Sequence, residues 1–143
     1  MMNSYVQDNF FTIDMVDGYE PTYFEIELEF YVHDGSGRKL PATTRIECHY
    51  DPLPDDAYDE PYFDANIGGC RFEGSTSETS AYLVLDDVML EDLCPGLGYK
   101  LPYELDRFKV CMDIDVHKNR EEGGGYFRVR VWVYQLALVY KAT

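Results

Sequence analysis

From Phe24 to Val32 every second residue is apolar: Phe24, Ile26, Leu28, Phe30 and Val32 alternate with Glu25, Glu27, Glu29 and Tyr31. Side chains on a β-strand point to opposite faces in turn, so such a segment buries one side and leaves three glutamates on the other. A helix would scatter the same residues around its circumference. The pattern breaks at His33-Asp34-Gly35-Ser36-Gly37 and resumes as Thr44, Ile46, Cys48 and Tyr50 against Arg45, Glu47 and His49. The glycine-bearing break reads as a turn, and the two apolar sets share a face only in one parity of register. Pairing Ile26 with Ile46 sets Phe24 opposite Cys48 and Glu27 opposite Arg45, with Gly35-Ser36-Gly37 as the loop.

A second hairpin follows the same logic. Phe108, Val110, Met112, Ile114 and Val116 alternate with Lys109, Cys111, Asp113 and Asp115, and Phe127, Val129, Val131 and Val133 alternate with Arg128, Arg130, Trp132 and Tyr134. The register that faces Asp115 with Arg128 and Asp113 with Arg130 also matches Lys109 with Tyr134 and Cys111 with Trp132, leaving Lys118 to Gly125 as the loop. Opposite charges across strands contribute roughly 0.2–1 kcal/mol each, enough to favour a register without dominating stability. Leu136 to Tyr140 is apolar on both faces and predicts a central strand.

Ala81 to Leu85 and Asn66 to Phe72 are further strand candidates, the second with a bulge at Gly68-Gly69. Asp86 to Leu93 is the best helical candidate, ended by Pro95-Gly96. Six or seven short strands with turns between them predict a mainly β fold: an antiparallel β-sandwich or strongly curved sheet with at most one or two short helices. At 143 residues, 45% apolar and 15% aromatic, the chain is expected to form one acidic β domain over residues 1–143 with a real core.

The formal net charge is −15, and it is uneven. Residues 1–106 hold five Lys/Arg against 23 Asp/Glu, whereas residues 107–143 hold seven against four. Such a field repels nucleic acid and anionic membrane and attracts basic protein surfaces or cations. No stretch nears the roughly 18 apolar residues that span a bilayer, and the start MMNSYVQDNFFTID lacks the basic and apolar regions of a secretory signal, so a cytoplasmic location is expected. Cys48, Cys70, Cys94 and Cys111 form no CxxC pair and read as reduced, mostly buried thiols; two disulfides in an exported chain are the alternative.

The segment Asp51 to Asp64, DPLPDDAYDEPYFD, concentrates six carboxylates with three prolines and no Lys or Arg. It reads either as a solvated acidic loop or as a binding surface. In the second case Asp55, Asp56, Asp59, Glu60 and Asp64 supply charge, and Tyr58, Tyr62 and Phe63 supply rings for a partner rich in Arg and Lys. The row Glu25, Glu27, Glu29 is a second acidic element, its carboxylates spaced about 7 Å apart by strand rise, resembling a phosphate repeat. Its plain alternative is an exposed sheet face partly paired with Arg45. A calcium site joining the acidic loop to Asp86, Asp87, Glu91 and Asp92 would lack the EF-hand spacing.

Catalysis has weak support. His33 and His49 lie at opposite ends of the first hairpin, and His117 is remote in sequence. Ser75, Ser77 and Ser80 belong to a polar loop without a nucleophile elbow, and Gly123-Gly124-Gly125 precedes a strand rather than a helix. The pattern points to a non-catalytic protein without cofactor or metal that engages a basic surface of another protein. An inhibitor occupying a nucleic-acid-binding site fits, the physics used by nuclease-immunity proteins and phage-encoded inhibitors of host defence. A self-associating structural module of a virion or secretion apparatus, and a calcium-dependent binding domain, are the alternatives.

Overall fold

A computed structural model describes residues 2–15, 22–51, 62–77, 79–119 and 124–138, with side chains for 7–15, 22–51, 63–77, 79–117 and 124–136. It is an antiparallel β-sandwich. The strands are β1 (Met2–Asp14), β2 (Thr22–His33), β3 (Lys39–Asp51), β4 (Tyr62–Ile67), β5 (Cys70–Arg71), β6 (Glu73–Thr76), β7 (Ser80–Met89), β8 (Arg107–Asn119) and β9 (Gly124–Leu138). One sheet has the order β1-β9-β8-β7-β6 and the other β2-β3-β4-β5. Each sheet is largely a meander, with β1 added beside β9, so β9 is internal up to Leu136; residues 139 and 140 of the doubly apolar run lie outside the described residues.

Both hairpin registers agree with the parity argument. Ile26 pairs with Ile46 and Glu27 with Arg45, while Asp115 pairs with Arg128 and Cys111 with Trp132. In the first turn Gly35 and Gly37 have φ of +83° and +91°, a region costly for residues with a Cβ. Asp34 organises the same turn: its carboxylate accepts hydrogen bonds from the Ser36 N–H and Oγ and from the Arg38 N–H and guanidinium. Those donors hold its pKa far below the usual carboxylate range. The second hairpin runs further than expected, pairing Lys118 with Gly125 and Asn119 with Gly124, so only residues 120–123 join its strands.

Two expectations change. Gly68-Gly69 is not a bulge but the two-residue turn between β4 and β5, with Ile67 paired to Cys70 and positive φ at Gly68 alone, as a type II′ turn has. Asp86 to Leu93 is strand in its first half and helix in its second: β7 continues to Met89, and Leu90–Leu93 makes a helical turn, α1. Asp86 and Asp87 form a β-bulge between Leu85, paired with Val110, and Val88, paired with Phe108; Asp87 takes φ of 49°. The bulge switches the inward parity from odd to even, so Leu85 and Val88 are both buried while both aspartates stay exposed. Ladder bonds to β8 outweigh the weak helical preference of so short a segment. The strands are also longer than predicted, and β1 had no clear alternation to announce it.

The inner faces interdigitate in one core. Phe127 of β9 packs at 5.2, 5.0 and 5.4 Å from the rings of Phe24, Tyr50 and Phe63 on β2, β3 and β4. Cys48, Cys94 and Cys111 are buried, Cys70 is half-buried, and all four thiols are free. Burial pushes Cys48 up to about 12 and Cys94 to about 11.

Two glutamines close the seam where β2 meets the other sheet. The Gln7 carboxamide of β1 bonds both the N–H and the carbonyl of Tyr31, at 2.9 and 2.7 Å. Gln135 of β9, 1% exposed, does the same to His33 at 2.8 and 2.9 Å and also donates to the Leu105 carbonyl at 3.0 Å. Replacing Gln135 with Leu keeps the volume and strands these backbone groups; a loss of about 2–4 kcal/mol in urea unfolding is expected, and a loss below about 0.5 would refute the role. Val131 has no exposure. Val131→Asp buries an unpaired charge and should abolish the cooperative melting transition seen by circular dichroism; a normally melting variant would contradict the face assignment.

Candidate acidic binding face

Because Phe24, Ile26, Leu28, Phe30 and Val32 point inward, Tyr23, Glu25, Glu27, Glu29 and Tyr31 point outward on β2. Register carries this across the sheet. Glu47 stands opposite Glu25, His49 opposite Tyr23, and Asn66 and Asp64 of β4 opposite Glu47 and His49. Arg71 of β5 lies opposite Asn66. One outer face thus gathers Glu25, Glu27, Glu29, Glu47, Asp51 and Asp64, with Lys39, Arg45 and Arg71 as its cations.

The cations neutralise only part of it. Arg45 lies across from Glu27 in register, yet its guanidinium reaches Glu25 at 3.4 Å; Arg71 holds Asp64 at 3.0 Å. Among the described residues Glu27, Glu29, Glu47 and Asp51 make no ion pair. Tyr23 and Tyr31 are 52% and 51% exposed at the two ends of the glutamate row. The Tyr23 hydroxyl donates to Glu25 at 2.8 Å and its ring meets His49 edge-on at 4.8 Å. That hydrogen bond, with desolvation and the charges of Glu25 and Glu47, pushes the phenol up to about 12.

Of the residues singled out by sequence, Glu25, Glu27, Glu29 and Asp64 share this face. Phe63 does not: it is 5% exposed, tilted against Tyr50 and edge-on to Phe127, so it belongs to the core. The parity of β4 explains the correction, since Asp64 outward requires Phe63 inward. Asp55, Asp56, Tyr58, Asp59 and Glu60 lie outside the described residues, as does the side chain of Tyr62; the segment 52–61 links β3 to β4. Tyr23, Tyr31, Glu47 and Asp51 are additions. Glu47 was legible, because the hairpin register itself places it beside Glu25.

The opposite face of the sandwich is different in kind. On β1, β8 and β9 its outward positions carry Asp8, Asp14, Asp113 and Asp115 against Arg107, Lys109, Arg128 and Arg130. The matched pairs Asp113–Arg130 and Asp115–Arg128 hold in backbone register, but no ion pair closes between them. Arg130 turns instead to Asp8 of β1 at 3.0 Å and stacks 4.1 Å from the Trp132 ring centroid and 5.8 Å from Phe10. A shallow hollow there, lined by Phe10, Thr12, Asp113, Asp115, Arg128 and Arg130, has no dominant sign of charge.

His33 Nδ1 lies 3.3 Å from Gln135 Oε1, and His117 stacks on Tyr126 at 4.7 Å; neither joins His49. Among the described residues no three His, Cys, Asp or Glu side chains converge as a metal-binding group, and no helix is long and apolar enough to cross a membrane. The chain matches no protein-family model, no curated protein and no solved structure, so this face must be understood from its own chemistry.

Proposed function

We propose that the protein is a non-catalytic binding module whose acidic face engages a basic surface of another protein, as an inhibitor occupying a nucleic-acid-binding site. One observation supports it above the others: Glu27, Glu29, Glu47 and Asp51 share a sheet face and make no ion pair among the described residues, beside half-exposed Tyr23 and Tyr31. Directly opposed like charges such as Glu25 and Glu47 destabilise a sheet. A face that retains them has a use outside folding.

Glutamates two apart on one strand stand about 7 Å from each other, and arginine or lysine side chains spaced to meet phosphates can meet them instead. The tyrosines offer rings that stack on guanidinium groups. The long-range field steers a basic partner toward this side of the sandwich. In this role the protein works in the cytoplasm, of the immunity or anti-defence type, and its thiols stay reduced. The carboxylates Asp55, Asp56, Asp59 and Glu60, with Tyr58 and Tyr62, enter the proposal on their chemistry in the sequence alone.

The test is capture from a host lysate by the immobilised protein and by a Glu25→Gln, Glu27→Gln, Glu29→Gln, Glu47→Gln variant that melts cooperatively at or above the wild-type temperature. The wild type should retain a basic nucleic-acid-binding protein that high salt releases and duplex DNA displaces, with capture by the variant down about tenfold or more. Equal capture by the two proteins would refute the proposed face.

A further inference from the structure

We propose that the partner's basic element docks as an extended strand on the open edge of β2; this rests on the acidic-face proposal and adds a backbone route of recognition to it. Strand residues whose N–H and carbonyl both point away from a neighbour recur every second position. The two glutamines identify that set on β2: Gln7 bonds both groups of Tyr31 and Gln135 both groups of His33. By the same period the groups of Tyr23, Glu25, Glu27 and Glu29 point out from the edge, and among the described residues they have no backbone partner. The capped part of the edge therefore ends where the glutamate row begins.

Below this open stretch runs β1. Its inner-face positions Asn9, Phe11 and Ile13 are only half-buried, while the corresponding positions of β8 and β9 are fully covered. Gln7 spans the seam to Tyr31. Asn9, two residues on and one methylene shorter, leaves its buried Nδ2 without an acceptor. The five-stranded sheet thus extends one strand beyond the four-stranded one on this side. A strand added beside β2 would cover Phe11 and Ile13 and bring carbonyl oxygens near Asn9.

Charge selects the occupant. Alternate side chains of the incoming strand would rise beside Glu25, Glu27 and Glu29, so Lys or Arg fits there, and the intervening residues, facing Phe11 and Ile13, fit if apolar. A second copy of this chain fits poorly, because pairing two β2 edges sets one glutamate row beside another.

An end-capped peptide of alternating Lys and Val is the probe, compared by fluorescence anisotropy with the same peptide N-methylated at alternate residues. The charge is equal in both, but the methylated form lacks the ladder donors. The unmethylated peptide should bind about tenfold tighter or better and slow hydrogen exchange at Glu25, Glu27 and Glu29. Equal, salt-sensitive binding of both peptides would overturn strand addition while leaving the acidic face standing; no binding of either at low salt would overturn both. A free protein that is dimeric by light scattering, with those amides already protected, would also overturn it, in favour of a second copy. Glu27→Pro against Glu27→Gln gives an independent check, since each removes the charge and only proline removes the outward N–H. Glu27→Pro should bind the unmethylated peptide several-fold more weakly than Glu27→Gln, and parity between them, with strand content intact by circular dichroism, would overturn the inference.

Discussion

Phe127 is the ring on which the two sheets close. It comes from the five-stranded sheet and meets Phe24, Tyr50 and Phe63, one ring from each of three consecutive strands of the other. Aromatic pairs of this kind add about 0.5–1.5 kcal/mol each beyond the area they bury. Their larger effect is on orientation. With Phe24, Tyr50 and Phe63 turned inward, strand parity turns Tyr23, Glu25, His49, Asp51 and Asp64 outward, so the acidic face is the reverse side of the aromatic core.

The two outer faces answer that constraint differently. On the five-stranded sheet charges of both signs intermix, and Arg130 is held by Asp8 and two aromatic rings. On the four-stranded sheet Glu25 and Glu47 stand directly opposed, and Arg45 relieves only one of them. That opposition costs a few tenths of a kcal/mol or more, which the large core absorbs. The pKa of Tyr23 is raised first by its hydrogen bond to Glu25 and by desolvation, and the charges of Glu25 and Glu47 add to both. Folding gains nothing from this arrangement, and on the proposed function a cationic partner would relieve it.

Much of this was legible in the sequence because parity is a strong constraint. Unbroken alternation over Phe24–Val32 and Phe108–Val116 determined strands, faces and both registers, and with them the row Glu25, Glu27, Glu29 and its neighbour Glu47. Where alternation failed, the reading failed. The bulge at Asp86-Asp87 made a strand look helical, and Gly68-Gly69 looked like an irregularity because β5 is only two residues long. Phe63 sits in an acidic, proline-rich stretch whose composition suggests a surface ring, yet its position in β4 turns it inward; local composition says less than position in a strand. Arg130 found Asp8 on β1, a strand with little alternation of its own and a pairing 122 residues distant in the chain. Long-range neighbours of that sort leave no local trace.

The edge of β2 joins these themes. An edge strand with unpaired ladder groups invites aggregation unless something blocks it, and here the blocking is divided. At one end carboxamides imitate a neighbouring strand, saturating Tyr31 and His33 with the geometry a backbone would offer. At the other end the guard is electrostatic, the glutamates repelling another copy of the same edge. Carboxamides refuse every strand alike, but carboxylates refuse only acidic or neutral company. An edge that among the described residues is defended by charge alone would, on the proposed function, be selective: closed to its own kind and open to a basic strand that brings the counter-charge.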